Sequence, residues 1–215
     1  MYLTRMRLDL TNRRTMQAMT SPNLFHGAIE SAFGGERKRN LWRMDTLRGQ
    51  AYLMILSRDI PELSAVCAQF SAPGERWETR DYAPLLDRIE AGGRWHFRLV
   101  ANPTRCCVEE HDSEMRRGTV RAHVTAQKQR EWLMERAQKH GFSLKEGEYE
   151  VTHSQWHHFR KGTDGGRRVS LLAVAYEGSL TVTDEALFRL ALTEGIGRGK
   201  AYGMGMLTIV RQVRP

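Results

Sequence analysis

The chain has 215 residues, 40% of them hydrophobic, and 33 Lys and Arg against 25 Asp and Glu give a formal net charge of +8. That is enough length for two small domains or one large one and enough apolar content for real cores, which excludes global disorder. No run of about 18 apolar residues occurs, and the N-terminus MYLTRMRLDLTNRR is charged and alternating, so a soluble, unexported, cytoplasmic protein with no membrane partner is expected.

Arginine carries the positive surplus. Guanidinium groups bind phosphate bidentately and stack on bases, which favours structured nucleic acid over a membrane surface. Cys67, Cys106 and Cys107 lack CxxC spacing, which argues against zinc and against a disulfide framework.

In chain order, Tyr2 to Leu10 alternates apolar and polar residues with one slip near Arg5 and predicts a strand. Thr20 or Ser21 as cap and Pro22 at the first helical position open a helix with the stripe Phe25, Ala28, Ile29, Ala32 and Phe33, ended by Gly34 and Gly35. A basic loop, Glu36 to Asn40, leads into strands over Leu41 to Met44 and Gln50 to Ser57, joined by a turn near Arg48 and Gly49. Pro61 opens a second helix over Glu62 to Phe70, and Tyr82 to Ile89 predicts a last strand or a turn of helix.

Arg88 to Arg94 reads as a linker, and Trp95 to Ala101 alternates again. Glu110 to Gly118 is a polar loop, and Ala126 to His140 is a strong helix with Leu133 and Ala137 inward and Gly141 as its stop. Phe142 to His153 and Arg168 to Tyr176 predict strands, the second with Val169, Leu171, Leu172 and Val174 in the core. Between them Trp156 to Gly166 is a basic hairpin tip. Leu180 to Val182, a helix over Asp184 to Thr193 capped by Thr183 with Ala186, Leu187, Leu190 and Ala191 at helical spacing, and a strand from Met204 to Val210 complete the set. Each half thus reads β, α, β, β, α, β, which predicts an α+β protein of two tandem ferredoxin-like (βαββαβ) domains, 1–90 and 91–215.

The stretch Glu194 to Ile209, EGIGRGKAYGMGMLTI, holds five glycines beside Arg198 and Lys200, a pattern suited to a phosphate chain. A P-loop is excluded because Ala201, not Ser or Thr, follows Lys200 and a strand comes next. A dinucleotide-binding turn is excluded because this loop closes a helix instead of opening one.

The opening MYLTR, the helix SPNLFHGAIE, the strand FRLVANPTR, the pair VAYEGSLTV and the closing GIGRGKAYGMGMLTI together resemble the CasE family, the CRISPR-associated, repeat-processing endoribonucleases of type I-E systems. The resemblance runs essentially end to end. It implies two tandem ferredoxin-like domains, binding of the repeat RNA stem-loop, metal-independent cleavage at the base of the stem, and retention with other subunits in a surveillance complex. No metal or other cofactor is expected.

By that resemblance His26 is the catalytic histidine. It sits about one turn inside a helix N-terminus, which disfavours imidazolium and suits a base near neutral pH. Lys200 and Arg198 are candidates for stabilising phosphorane charge. Some family members carry a tyrosine where this chain has Asn23, which either orients a phosphate or the 2′-hydroxyl or is a plain first-turn residue. Three basic clusters are expected on the RNA: Arg37, Lys38, Arg39 and Arg43 after the catalytic helix; Arg160, Lys161, Arg167 and Arg168 on the hairpin; and the glycine loop, with Gly197, Arg198, Gly199, Gly203 and Gly205. The alternative from another class is a non-catalytic RNA-binding subunit of such a complex.

Overall fold

The computed structural model describes residues 1–34, 38–107, 119–160 and 166–211. One sheet is built from β1 (Tyr2–Arg7), β2 (Leu41–Leu47), β3 (Gln50–Ser57) and β4 (Trp77–Asp81), antiparallel in the order β2-β3-β1-β4. Helices α1 (Arg13–Thr20), α2 (Asn23–Ser31) and α3 (Ser64–Phe70) cover it, and a one-turn helix α4 (Ala83–Leu86) follows β4. In β1, Thr4 and Met6 are buried on the face beneath the helices, while Leu3 on the opposite face packs against a second core. The slip read near Arg5 is therefore the signature of a strand whose two faces meet different cores. At the β2–β3 turn, Arg48 (φ 51°) and Gly49 (φ 75°) both adopt the left-handed conformation that tight hairpins require.

Two elements differ from expectation. Helix α1 was not foreseen: Asn12 caps it, its side chain accepting from the amides of Arg14 and Thr15, and the helix buries only Thr15 and Ala18, too thin a stripe to read as periodicity. The closing strand is Trp77–Asp81, earlier than expected, and of the two readings of Tyr82 to Ile89 the turn of helix is the one found. β4 is a charged edge strand, with Arg5 paired to Glu78 at 3.0 Å across it, so no apolar alternation marks it.

The other sheet comprises β5 (Arg94–Ala101), then, after the two-stranded ribbon β6 (Thr104–Cys107) and β7 (Thr119–Ala122) and helix α5 (Ala126–Lys139), β8 (Phe142–Ser143), β9 (Tyr149–Arg160), β10 (Arg168–Val182) and β11 (Leu207–Arg211). The order is β11-β5-β10, with both β8 and β9 on the far edge of β10. Helix α6 (Glu185–Glu194) precedes the glycine loop, within which Lys200–Tyr202 form a short 3-10 turn. With α5 and α6 on its face, this sheet repeats the ferredoxin-like order of the first, so the α+β tandem arrangement is what the chain adopts.

Here too the strands were misdivided. Phe142 to His153 is broken after Ser143, β9 runs through Trp156 to Arg160, and β10 is continuous to Val182 past a bulge at Ala175 and Tyr176. Val169 and Leu171 are only half-buried; the core run is Leu172 to Tyr176. Asp184, not Thr183, caps α6, its carboxylate accepting from the Leu187 amide at 2.9 Å. Phe188, Ala191 and Leu192 face inward while Leu187 and Leu190 are exposed. The loop Glu110 to Gly118 and the turn residues Thr163 to Gly165 lie outside the described residues.

Arg88 to Arg94 is not a loose linker. Ile89 is buried, the Gly92 amide donates to the Val182 carbonyl at 2.8 Å, and Arg189 donates from Nε to the Leu86 carbonyl at 3.0 Å. The larger core also takes in Leu41, Leu56, Tyr82 and Ile89 from the first 90 residues, so the two sheets share buried surface.

Candidate active site

An open cleft of about 650 Å³ lies where the two sheets meet. From one side come His26, Glu30, Lys38, Arg39 and Asn40; from the other come Gly197, Arg198, Gly199, Lys200 and Ala201. Helix α2 sets the histidine. Phe25 and Ile29 are fully buried, which leaves His26 half-buried at the edge of that stripe, and its amide donates to the Pro22 carbonyl at 3.1 Å in the first turn. Glu30, one turn on, faces the same cleft.

The glycine loop forms the opposite wall. Gly197 (φ 81°) and Gly199 (φ 85°) hold left-handed backbone, and a Cβ at Gly199 would come within 2.9 Å of the Met204 sulfur. Arg198 pairs in a β-bridge with Asn102, so the FRLVANPTR and GIGRGKAYGMGMLTI stretches meet in space. Lys200 is half-buried and donates from Nζ to the Glu194 carbonyl at 2.6 Å. Burial, and then the nearby Arg39 guanidinium, hold its ammonium below the ordinary lysine range. Arg39 is exposed, as is Lys38, which pairs with Asp59 at 2.7 Å. Among the described residues no group of three or more His, Cys, Asp or Glu is placed to hold a metal ion.

The cleft thus brings together the His26 imidazole, the Glu30 carboxylate, a half-buried ammonium and exposed guanidiniums around an open concavity. The remaining expected residues divide. Arg43 is not available to RNA: its side chain is 2% exposed, and all five of its N–H donors are committed. They go to both carboxylate oxygens of Asp45, the carbonyls of Arg98 and Met206, and Thr208 Oγ1. Gly203 and Gly205 are buried packing positions, not a phosphate cradle. A Cβ at Gly203 would lie 2.8 Å from the Trp42 ring, and the Gly205 amide donates to the Val100 carbonyl. Asn23 does not line the cleft, and its Oδ1 is buried with no partner among the described residues. Arg37 and Lys161 fall outside the described residues.

Arg160, Arg167 and Arg168 are exposed on the β9–β10 hairpin and do not line the cleft. Arg160 and Arg168 are directly opposite in the ladder, a like-charge pair that favours an anion between them. The hairpin holds a further feature that sequence reading passed over: Trp156, 43% exposed, stacks on His158 with ring centroids 5.8 Å apart. Their i, i+2 spacing on a strand is the signal that was there to find. Glu30 and Asn40 were also missed; only the four-residue step from His26 pointed to the first.

No described helix is long and apolar enough to cross a membrane. The family model described as CRISPR associated protein matches residues 1–211. The CRISPR-associated endoribonuclease Cse3 of Thermus thermophilus is 28% identical over 225 residues, covering 97% of this chain and 99% of that protein. Among solved structures, Cse3 bound to a 19-nucleotide RNA superposes with a TM-score of 0.79 at 26% identity, covering 98% of this chain and all of that one. Thermus thermophilus Cse3 bound to an RNA representing a pre-cleavage complex gives 0.77 at 25% identity, covering 97% and 98%. A match along nearly the whole chain, in sequence and in backbone, carries the assignment: this chain belongs to the CRISPR-associated protein family.

Proposed function

We propose that the chain is an endoribonuclease that binds the stem-loop of CRISPR repeat RNA and cuts the precursor at the base of the stem. The observation that carries this reading is the cleft in which helix-borne His26 stands across from the cationic glycine loop. The ribose 2′-hydroxyl upstream of the cut attacks phosphorus as the bond to the 5′-oxygen breaks, leaving a 2′,3′-cyclic phosphate and a 5′-hydroxyl. The nucleophile is already tethered to its target, so the protein needs to supply in-line geometry, proton transfer and cations for the phosphorane. His26 moves the proton, and Lys200 and Arg198 face the developing charge. Arg39 and Lys38 hold the strand entering the cleft, and the β9–β10 hairpin arginines hold the stem.

The division of labour follows the chain: residues 1–90 carry the histidine, and residues 91–215 carry the hairpin and the glycine loop. After cleavage the RNA stays bound, and the protein acts with other subunits of a type I-E surveillance complex in the cytoplasm. The test is cleavage of a repeat stem-loop in EDTA by wild type and by His26→Ala, with a second substrate carrying one 2′-deoxyribose at the cut. Wild type cuts without metal, the variant binds but loses rate, and the deoxy substrate binds uncut. Tight binding without cleavage by wild type would leave a non-catalytic RNA-binding subunit as the reading.

A further inference from the structure

Across the glycine loop from the His26 cleft is a second, smaller cavity of about 150 Å³. The loop is the partition, because Gly197 and Arg198 line both cavities. The far wall is built by Thr104 and Arg105 of β6 and by Trp132 and Arg136 of α5. Three arginines therefore converge here, and among the described residues no carboxylate lines the cavity. Among the described residues, none accepts an ion pair from Arg105, Arg136 or Arg198. Like charges gathered without a counter-charge repel each other unless an anion joins them.

The donors are also prepared. Arg136 lies over the Trp132 ring, 5.6 Å from its centroid, which fixes its guanidinium. Trp132 is 4% exposed, and its Nε1 and the Nε of Arg136 are buried N–H groups that nothing in the described chain accepts. Buried donors without acceptors cost about 1–3 kcal/mol each, a cost that a bound acceptor removes. A side chain at Gly197, where a Cβ would sit 3.2 Å from the Trp132 ring, would narrow the entrance. The cavity is well below the ~300–1,000 Å³ of sites that take a whole small molecule. It fits one tetrahedral anion, not a nucleoside.

We infer that this cavity is a second phosphate site, in which Arg105, Arg136 and Arg198 with the Trp132 indole N–H hold a backbone phosphate of the RNA strand neighbouring the one that is cut. The inference rests on the RNA-cleaving reading above. It adds to that reading a clamp on the other side of the glycine loop: with a phosphate held in each cavity, the linkage crossing the loop has both ends fixed. Such fixation selects in-line geometry before any proton moves.

The test uses the full chain and a repeat stem-loop RNA with a single 2′-deoxyribose at the cut, so that binding is measured without cleavage. Arg105→Gln and Arg136→Gln each bind about ten- to a hundredfold more weakly than wild type, as loss of a charge-assisted contact predicts. The slope of log K against log salt becomes shallower by about 0.7–0.9, the loss of one phosphate. A series of RNAs with one neutral methylphosphonate linkage then locates the contact: one position next to the cut weakens wild type by a similar factor and adds nothing to Arg105→Gln. Unchanged affinity and slope in Arg105→Gln, an exposed strand residue whose replacement spares the core, overturn the site even if Arg136→Gln fails to fold. So do strictly additive effects at every linkage. If wild type binds and cuts while these variants match it, only the second site is lost; if wild type does not bind the stem-loop, both readings fall.

Discussion

Arg43 donates from Nη1 to the main-chain carbonyl of Met206 at 2.7 Å, fastening β2, the element after helix α2, to the end of the glycine loop. The same guanidinium is bidentate to Asp45 and nearly inaccessible to water. Removing it leaves a buried carboxylate with only Arg98 as counter-charge. Arg43→Ala is expected to lower the unfolding free energy by about 3–5 kcal/mol, measured by denaturant titration. A change below 1 kcal/mol would show that the clamp is redundant.

His26→Ala is expected to retain RNA affinity within a few-fold and to lose about 10²–10⁴ in single-turnover cleavage rate, the usual contribution of a positioned acid or base. Loss of binding in parallel with rate would assign the histidine a structural part in the cleft instead.

Lys200 gives a pH test with a definite sign. Its folded pKa is lowered from the ordinary 10.5, first by burial and then by Arg39, so in the window just below 10.5 the unfolded chain binds more protons than the folded one. Stability contributed at this position therefore rises with pH across that window. The unfolding free energy of wild type relative to Lys200→Met should climb between its depressed pKa and 10.5. Arg39→Gln should narrow the window from below without closing it, because burial remains the larger cause. A difference that is flat with pH would exclude a perturbed lysine.

Arg160 and Arg168 oppose each other on the hairpin without a carboxylate between them in the ladder. Arg168→Glu should raise the stability of the free protein by up to about 1 kcal/mol, since a like-charge pair becomes an opposite one. The same substitution should weaken stem-loop binding and flatten its salt slope by about 1. Gains in thermal stability with no loss of affinity would take the hairpin out of the RNA contact.

Gly203→Ala should destabilise by about 2–4 kcal/mol in a thermal melt, combining left-handed backbone with a Cβ driven into the Trp42 ring. Arg198→Gln, on the exposed rim of the same loop, should leave the melt nearly unchanged and act instead on RNA binding and cleavage rate.

Much of this is legible in the sequence. The helix carrying His26, the Arg48–Gly49 turn and helix α5 follow from periodicity, caps and glycines. What sequence could not give was depth. Arg43 stands in a basic run with Arg37, Lys38 and Arg39, and only the fold shows that it points into the seam while Lys38 and Arg39 face the cleft. Leu187 and Leu190, three apart, are as compatible with a helical stripe as Phe188 and Leu192, four apart, and which pair is buried depends on the sheet beneath. Five glycines in one loop invited a single explanation, yet Gly197 and Gly199 border the cleft while Gly203 and Gly205 let Trp42 and Val100 approach. The second phosphate cavity draws on β6, α5 and the glycine loop, segments far apart in sequence with no shared motif.

The burial of Leu41, Leu56, Tyr82 and Ile89 in the core of the second sheet means that the described residues provide no hinge between the two sheets that would leave this core intact. The jaws cannot open or shut around a substrate without exposing those side chains to water. The distance between histidine and glycine loop is thus set at folding, and the bending that brings a 2′-oxygen into line with its phosphorus has to come from the RNA. A duplex too stiff at its base to make that bend would dock and survive, which turns the mechanical softness of the junction into a criterion for which RNAs are cut.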